Sequence, residues 1–178
     1  MKKFQIGIMG SAADLNYPEK ISRIAEEIGE LIAKKGHYTV YGAEKDYDSL
    51  STAAARGAKK AGGTTIGITY GKDKEIHDKE NTDILIRTGI DRGGGREFVL
   101  ANSCDAIIAV SGGSGTLTEL AIAYQSNIPL VCMTGVGGWS EKLADSYIDD
   151  RKRVKCIGAK TPQEAVEEAL AAINKLQK

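Results

Sequence analysis

The sequence predicts an α/β fold: a doubly wound, mostly parallel sheet of about six or seven strands with helices on both faces. Short apolar, β-branched runs alternate with segments of helical period from end to end, which is the pattern of such a sheet. The chain has 178 residues and 42% hydrophobic content, enough for one core. Residues 1–178 are therefore expected to form a single domain.

Seven runs are predicted as strands. They span residues 4–9, 38–41, 64–69, 83–87, 105–110, 128–133 and 153–157. In an open parallel sheet, every strand delivers its following loop to the same edge. Four loops are expected to meet in one crevice there, and they are residues 10–13, 42–49, 89–97 and 111–116. Gly10, Ser11 and Gly42, at the starts of two of these loops, are candidate ligand-binding residues.

The predicted helices carry start and stop signals. The first begins at Pro18 and stops before Gly36, a residue suited to a left-handed end. The second runs over residues 49–61. The last covers residues 161–177, where a threonine, a proline and a glutamate form a capping box.

The charge balance argues against partners that are recognised by overall charge. Lysine plus arginine and aspartate plus glutamate number 24 each, so no fold-wide attraction to nucleic acid or acidic membranes is expected. The apolar runs are of strand length, and the N-terminus leads directly into a strand pattern. We therefore expect a cytoplasmic protein that binds any anion locally.

The cysteines and histidines do not form a metal-binding pattern. Cys104, Cys132 and Cys156 are widely spaced, which favours reduced, packed thiols. His37 and His77 have no cysteine or second histidine nearby and are interpreted as structural or solvated. No metal site is predicted.

The segment AVSGGSGTLTEL, residues 109–120, predicts a phosphate-binding loop. Its glycines expose backbone N–H groups at a helix start, where the helix dipole favours an anion. The alternative is a tight turn whose serine or threonine merely caps the helix. The loop lacks the lysine of a P-loop and the third glycine of a dinucleotide fingerprint. The predicted phosphate-binding residues are Gly112, Gly113, Ser114, Gly115 and Thr116.

Glu119 lies about one turn into the same helix. A carboxylate is a poor phosphate ligand because the two charges repel, so sugar hydroxyls or acid/base catalysis suit it better. The alternative is a first-turn acid that the helix dipole stabilises.

Together, Arg96, the DAIIAV strand, SGGSGTLTEL and the IPLVCM strand resemble the signature of the lonely-guy family, long described as possible lysine decarboxylases. The motif is an arginine in a helix before the strand, followed by a Gly-Gly-x-Gly-Thr-x-x-Glu loop. Residues 55–68 are also similar to the family, so the resemblance covers most of residues 4–133.

The resemblance implies a Rossmann-like homodimer with a nucleoside 5′-monophosphate site and a phosphoribohydrolase reaction that cleaves the bond between base and ribose. It implies that the glycine loop holds phosphate, Glu119 contacts the ribose or assists hydrolysis, and Arg96 orients the substrate. No cofactor is required for this reaction. True lysine decarboxylation is not expected, because the glycine loop and its helix contain no lysine for a pyridoxal-phosphate Schiff base.

Three departures from the family pattern indicate a divergent branch of this SLOG superfamily. Glu97 stands in place of a lysine, Ser111 in place of a proline, and YGAEKDYDSLSTAAA in place of a glycine-rich stretch. Related proteins on this scaffold include uncharacterised small bacterial and archaeal members and carriers of the molybdenum cofactor, a phosphorylated pterin. The alternative function is therefore a non-catalytic carrier or sensor of a nucleotide or pterin cofactor.

Residues 134–143 surround Trp139 with three glycines. The segment is either a mobile flap that places Trp139 over a flat base, or a region where Trp139 packs against its own helix or a second subunit.

Overall fold

A seven-stranded sheet, parallel throughout, forms the centre of the computed structural model, which describes residues 2–71, 75–91 and 95–176. Its spatial order is β4-β3-β2-β1-β5-β6-β7. The strands are β1 Gln5–Gly10, β2 Tyr38–Gly42, β3 Thr64–Thr69, β4 Ile84–Arg87, β5 Ala106–Val110, β6 Leu130–Met133 and β7 Cys156–Ala159. The strand order reverses between β1 and β5, which opens a crevice at their carboxyl ends. The predicted fold class is confirmed.

Helices cover both faces of the sheet. They are α1 Glu19–Lys34, α2 Leu50–Lys60, α3 Gly95–Asn102, α4 Ser114–Gln125, α5 Gly138–Leu143 and α6 Pro162–Leu176, with a short 3-10 turn at Ala13–Leu15. The alternation of side chains along β5 divides the core between the faces. Ile108 and Val110 pack with α1, α2 and α6, whereas Ile107 and Ala109 pack with α3 and α4.

The predicted start signals act at two of the helices. Ser49 caps α2 by accepting a hydrogen bond from the backbone N–H of Thr52 at 3.0 Å. At α6, the Thr161 hydroxyl accepts from the Glu164 N–H at 3.2 Å. The Glu164 carboxylate accepts from the Lys160 N–H at 2.7 Å, one residue earlier than in a standard capping box.

Two strands in particular begin later than predicted, because the backbone of their first predicted residues makes other hydrogen bonds or pairings. The strand predicted at 128–133 begins at Leu130, because the Ile128 N–H donates to the Ala123 carbonyl at the end of α4. The strand predicted at 153–157 begins at Cys156, because Lys155 pairs with Tyr147 instead.

Two predicted segments extend beyond the described residues. Residue 177 of the predicted last helix and residues 92–94 of the predicted 89–97 loop lie outside the described residues. Within the described ranges, no helix combines the length and the apolar character needed to cross a membrane.

Candidate functional site

A pocket of about 270 Å³ opens at the carboxyl edge of the sheet. Gly10 and Gly42, the last residues of β1 and β2, lie in its wall, and so does Tyr70, which directly follows β3. The start of α4 forms another part of the wall. Loops far apart in the sequence therefore meet in one crevice, as the parallel topology requires.

The start of α4 contributes Gly113, Ser114, Gly115 and Thr116 to the pocket wall. The residue before the helix is Gly113, and among the described residues no side chain caps it. The first N–H groups of a helix have no intrahelical acceptor, and the helix dipole is positive at this end. The pocket wall thus offers uncapped amides, the arrangement by which helix starts bind anions.

Ser11 and Gly112 lie behind this wall. The Gly112 N–H donates to the Ser11 hydroxyl at 2.9 Å, and that hydroxyl donates to the Ser111 hydroxyl at 3.1 Å. Both serines are buried. These bonds join the loops after β1 and β5, so Ser11 and Gly112 support the start of α4 from behind the pocket wall.

Ser111 stands where the resembling family has proline. Its φ is +59°, in the left-handed region. A proline ring fixes φ at about −65° and could not adopt this backbone. The departure in sequence therefore accompanies a local departure in backbone conformation.

Arg96, in the first turn of α3, is 4% exposed and lies among three carboxylates. Its Nη2 donates to Glu44 Oε1 at 2.7 Å and lies 3.5 Å from Glu97 Oε1. Its Nη1 lies 3.5 Å from Glu119 Oε1. The two catalytic candidates of the sequence, Arg96 and Glu119, are therefore in contact, and Glu97 joins the same cluster. The buried Arg96 Nε finds no hydrogen-bond acceptor among the described residues.

Tyr70 completes this cluster. Its hydroxyl accepts a hydrogen bond from Arg96 Nη2 and donates to Glu44 Oε1 at 3.2 Å, and its ring centre lies 4.3 Å from the guanidinium carbon. Burial raises the pKa of Tyr70 to about 12, because it disfavours the phenolate. At neutral pH the hydroxyl therefore remains a donor.

The electrostatic balance of the cluster decides the state of Glu119. Burial raises the pKa of Glu119 from 4.5 to about 7, and the negative charges of Glu97 and Glu44 add to the rise while Arg96 opposes it. A carboxyl group with this pKa exchanges its proton near neutral pH. That property suits proton transfer, although structural ion clusters also shift pKa values.

Gly42 makes room for Arg96. A β-carbon at Gly42 would stand 2.1 Å from Arg96 Nη1, so a larger residue would displace the guanidinium. The sequence marked Gly42 as a candidate ligand contact; the structure places it both in the pocket wall and beneath this side chain.

Several residues of the pocket wall were not predicted. Tyr70 carried a signal, since it is the first residue after a predicted strand, but the loop after that strand was not among the four considered. Glu44, Tyr47 and Ser49 lie in the loop 42–49, which was expected at the crevice, but none of them was named as a candidate. Leu15 lies beyond the predicted loop 10–13 and gave no functional signal. All five line the pocket.

The segment 134–143 contains α5 and is hydrogen-bonded to the loop between β5 and α4. The N–H groups of Trp139 and Ser140 donate to the carbonyls of Gly112 and Ser111 at 3.0 and 2.9 Å. Lys142 Nζ lies 4.6 Å from the centre of the Trp139 ring. In this structure Trp139 therefore contacts its own helix, which matches the packing alternative.

Two known proteins are similar to this chain in sequence. An uncharacterized protein of Archaeoglobus fulgidus is 38% identical over 125 residues, which are 70% of this chain and 76% of that protein. The cytokinin riboside 5′-monophosphate phosphoribohydrolase of Mycobacterium tuberculosis is 29% identical over 110 residues, which are 59% of this chain and 54% of that enzyme.

Among solved structures, the molybdenum cofactor carrier protein of Chlamydomonas reinhardtii superposes with a TM-score of 0.74 at 31% identity, covering 99% of both chains. The family model of the SLOG cluster4 family matches residues 3–166. The predicted resemblance is thus confirmed, and the chain belongs to the SLOG cluster4 family.

Proposed function

We propose that this protein binds a nucleoside 5′-monophosphate or a similar phosphorylated ligand in the pocket between β1 and β5. The observation that carries the proposal is that one pocket combines the uncapped start of α4 with the buried Arg96–Glu119 pair. The phosphate would rest on the amides of Gly113 to Thr116.

The charge distribution orients the ligand. Arg96 is already paired with three carboxylates, so it is less available to a phosphate than the start of α4. The positive end of the α4 dipole is the favourable place for it. The ligand would therefore have one anionic end, and its remainder would present hydrogen-bond donors, such as sugar hydroxyls or ring N–H groups, to the carboxylates.

We further propose that the pocket hydrolyses the N-glycosidic bond of its ligand. As that bond breaks, positive charge develops on the ribose, and a carboxylate near the anomeric carbon stabilises it. Glu119 is the carboxylate that α4 carries just beyond the phosphate amides. Water would attack the anomeric carbon and lose a proton, and the base would leave with the bonding electrons and gain a proton. Arg96 would hold Glu119 in place.

A second candidate function is a carrier that binds without catalysis, with the phosphorylated pterin of the molybdenum cofactor as its cargo. The position of Glu97, 3.5 Å from Arg96 Nη2, favours it, because this carboxylate further offsets the cation that the hydrolytic site would use. The uncapped α4 start fits the phosphate, and the carboxylate acceptors fit the ring N–H groups of a pterin. The likeness to a carrier over nearly the full chain also supports this candidate.

One experiment separates the two functions. The pure protein is incubated with a panel of nucleoside 5′-monophosphates, free base is measured by chromatography, and thermal unfolding is followed with each ligand. Base release from at least one nucleotide supports hydrolysis, and Glu119→Gln should abolish it while phosphate binding remains. If a ligand raises the unfolding temperature but no nucleotide releases base, the result supports the carrier function and rejects hydrolysis. If no nucleotide stabilises the protein and none releases base, both nucleotide hydrolysis and nucleotide binding are rejected, and only a pterin cargo remains for the carrier function.

We also propose that the protein is a cytoplasmic homo-oligomer. Ile84 and Ile86 on the edge strand β4 are 48% and 41% exposed, and Phe98 on α3 is 59% exposed. Such apolar area is more typical of an interface than of a free surface. Light scattering of the purified protein, compared with Phe98→Asp, measures the assembly.

A further inference from the structure

Two large apolar side chains are exposed at the pocket wall. Leu15 is 54% exposed and Tyr47 is 43% exposed, and both line the pocket whose interior holds the charged cluster. Apolar area left in water has a free-energy cost, which a ligand that covers it would remove.

Backbone contacts join the two loops that carry these side chains. Leu15 ends the 3-10 turn after β1, and its Cδ1 lies 2.9 Å from the position that a β-carbon on Gly113 would take. Tyr47 lies in the loop after β2. The two loops are joined, because the Ala13 N–H donates to the Asp48 carbonyl at 2.8 Å and residues 12 and 49 form an antiparallel bridge.

We infer that Leu15 and Tyr47 form the subsite for a flat heteroaromatic ring of the ligand, an assignment that rests on the proposed phosphate site. Aromatic faces stack on nucleobases and similar rings, and an aliphatic side chain offers a second apolar contact. Tyr47 belongs to the stretch that departs from the family pattern, so this chain supplies its own ring subsite. The ligand class is a monophosphate that carries an aromatic ring.

The test compares ligands with and without a ring. Isothermal titration calorimetry measures the dissociation constants of ribose 5-phosphate, adenosine 5′-monophosphate and guanosine 5′-monophosphate, with a check for free base after each titration. In the parent protein a nucleotide should bind more tightly than ribose 5-phosphate. Tyr47→Ala should weaken nucleotide binding on the order of tenfold and leave ribose 5-phosphate binding unchanged. Leu15→Ala should give a smaller loss of the same kind.

The controls isolate the ring. Tyr47→Phe keeps the aromatic face and should bind nucleotides within about twofold of the parent, since stacking does not need the hydroxyl. Tyr147→Ala removes a tyrosine of similar exposure, 41%, away from the pocket and should change nothing. Thermal unfolding of each variant establishes that it is folded.

The outcomes distinguish the subsite from the proposed function. An unchanged ratio of ribose 5-phosphate to nucleotide affinity in both Tyr47→Ala and Leu15→Ala overturns the ring subsite alone. This result includes equal weakening of both ligands, in which case the two side chains shape the whole pocket. If neither ribose 5-phosphate nor any nucleotide binds the parent protein, the proposed function fails and the subsite with it.

Discussion

The guanidinium of Arg96 passes over Gly42 so closely that a β-carbon at Gly42 would stand 2.1 Å from Nη1. This relationship connects the end of a central strand with the first turn of α3. Glu44, Glu97 and Glu119 also hold the arginine. Its position therefore depends on the absence of a side chain on β2 as much as on its ionic partners.

Gly42→Ala should displace Arg96 and lower the free energy of unfolding by about 1–3 kcal/mol, as expected for an overpacked buried site. Ligand binding or base release should fall as well, since Glu119 loses its partner. Chemical denaturation measures the first effect. For stability alone, Gly115→Ala is the matched control, because its β-carbon has no described heavy atom within 4 Å. A Gly42→Ala protein as stable as the parent would contradict the close packing of Arg96 on Gly42.

Glu119→Gln should make the protein more stable at alkaline pH. Because the pKa of Glu119 is raised from 4.5 to about 7, the folded state binds more protons than the unfolded state between these values. The parent therefore loses stability as pH rises through this window, and the loss is complete above about pH 7. The Glu119→Gln variant does not undergo this loss, so above about pH 7 its free energy of unfolding should exceed the parent's by at most about 3 kcal/mol. Thermal unfolding at about pH 5 and about pH 8 tests this, with the exposed Glu80→Gln as control.

Ser114→Pro should weaken phosphate binding without destabilising the fold. Ser114 is the first residue of α4, a position where proline is favoured, and Gly113 before it is extended rather than helical. The substitution removes one backbone N–H from the proposed phosphate site, so affinity for inorganic phosphate should fall about tenfold. Ser114→Ala keeps the N–H and should retain affinity. Equal affinities for the two variants would show that this amide does not contact phosphate.

Acid should destabilise the protein through His37. His37 is buried, its Nδ1 accepts the Phe4 N–H at 3.2 Å, and its pKa is lowered because burial disfavours the cation and Lys35 repels it. The unfolded state thus takes up the proton first, and stability is lost as pH falls below about 6.5. Compared with the parent, His37→Gln should lose less stability between about pH 7.5 and about pH 5.5. His77→Gln, at an exposed histidine, should follow the parent.

The fold could be predicted because its signals are local. The run at β5 is entirely buried, and its apolar, β-branched composition marks it as a strand of a covered parallel sheet. The end of β7 could not be placed in this way. Gly158 and Ala159 have little strand propensity and become part of the sheet by pairing with Cys132 and Met133.

The site was predictable only in part. Arg96 and Glu119 could be assigned from motifs, but the contacts of Glu44 and Tyr70 with Arg96 join three separate loops and exist only in the folded chain. The bounds of the short helix α5 were likewise not predicted, because the glycines at 135, 137 and 138 also fit a mobile loop; in the structure all three have positive φ.

The hydrogen bond from Trp139 to the Gly112 carbonyl has a practical consequence for spectroscopy. Trp139 is the only tryptophan in the chain, and this bond attaches its backbone directly to the loop that precedes α4. A charge bound on the first turn of α4 would change the electric field around this residue. Indole emission responds to the local field, so unlabelled protein should report the arrival of phosphate as a change in its intrinsic fluorescence.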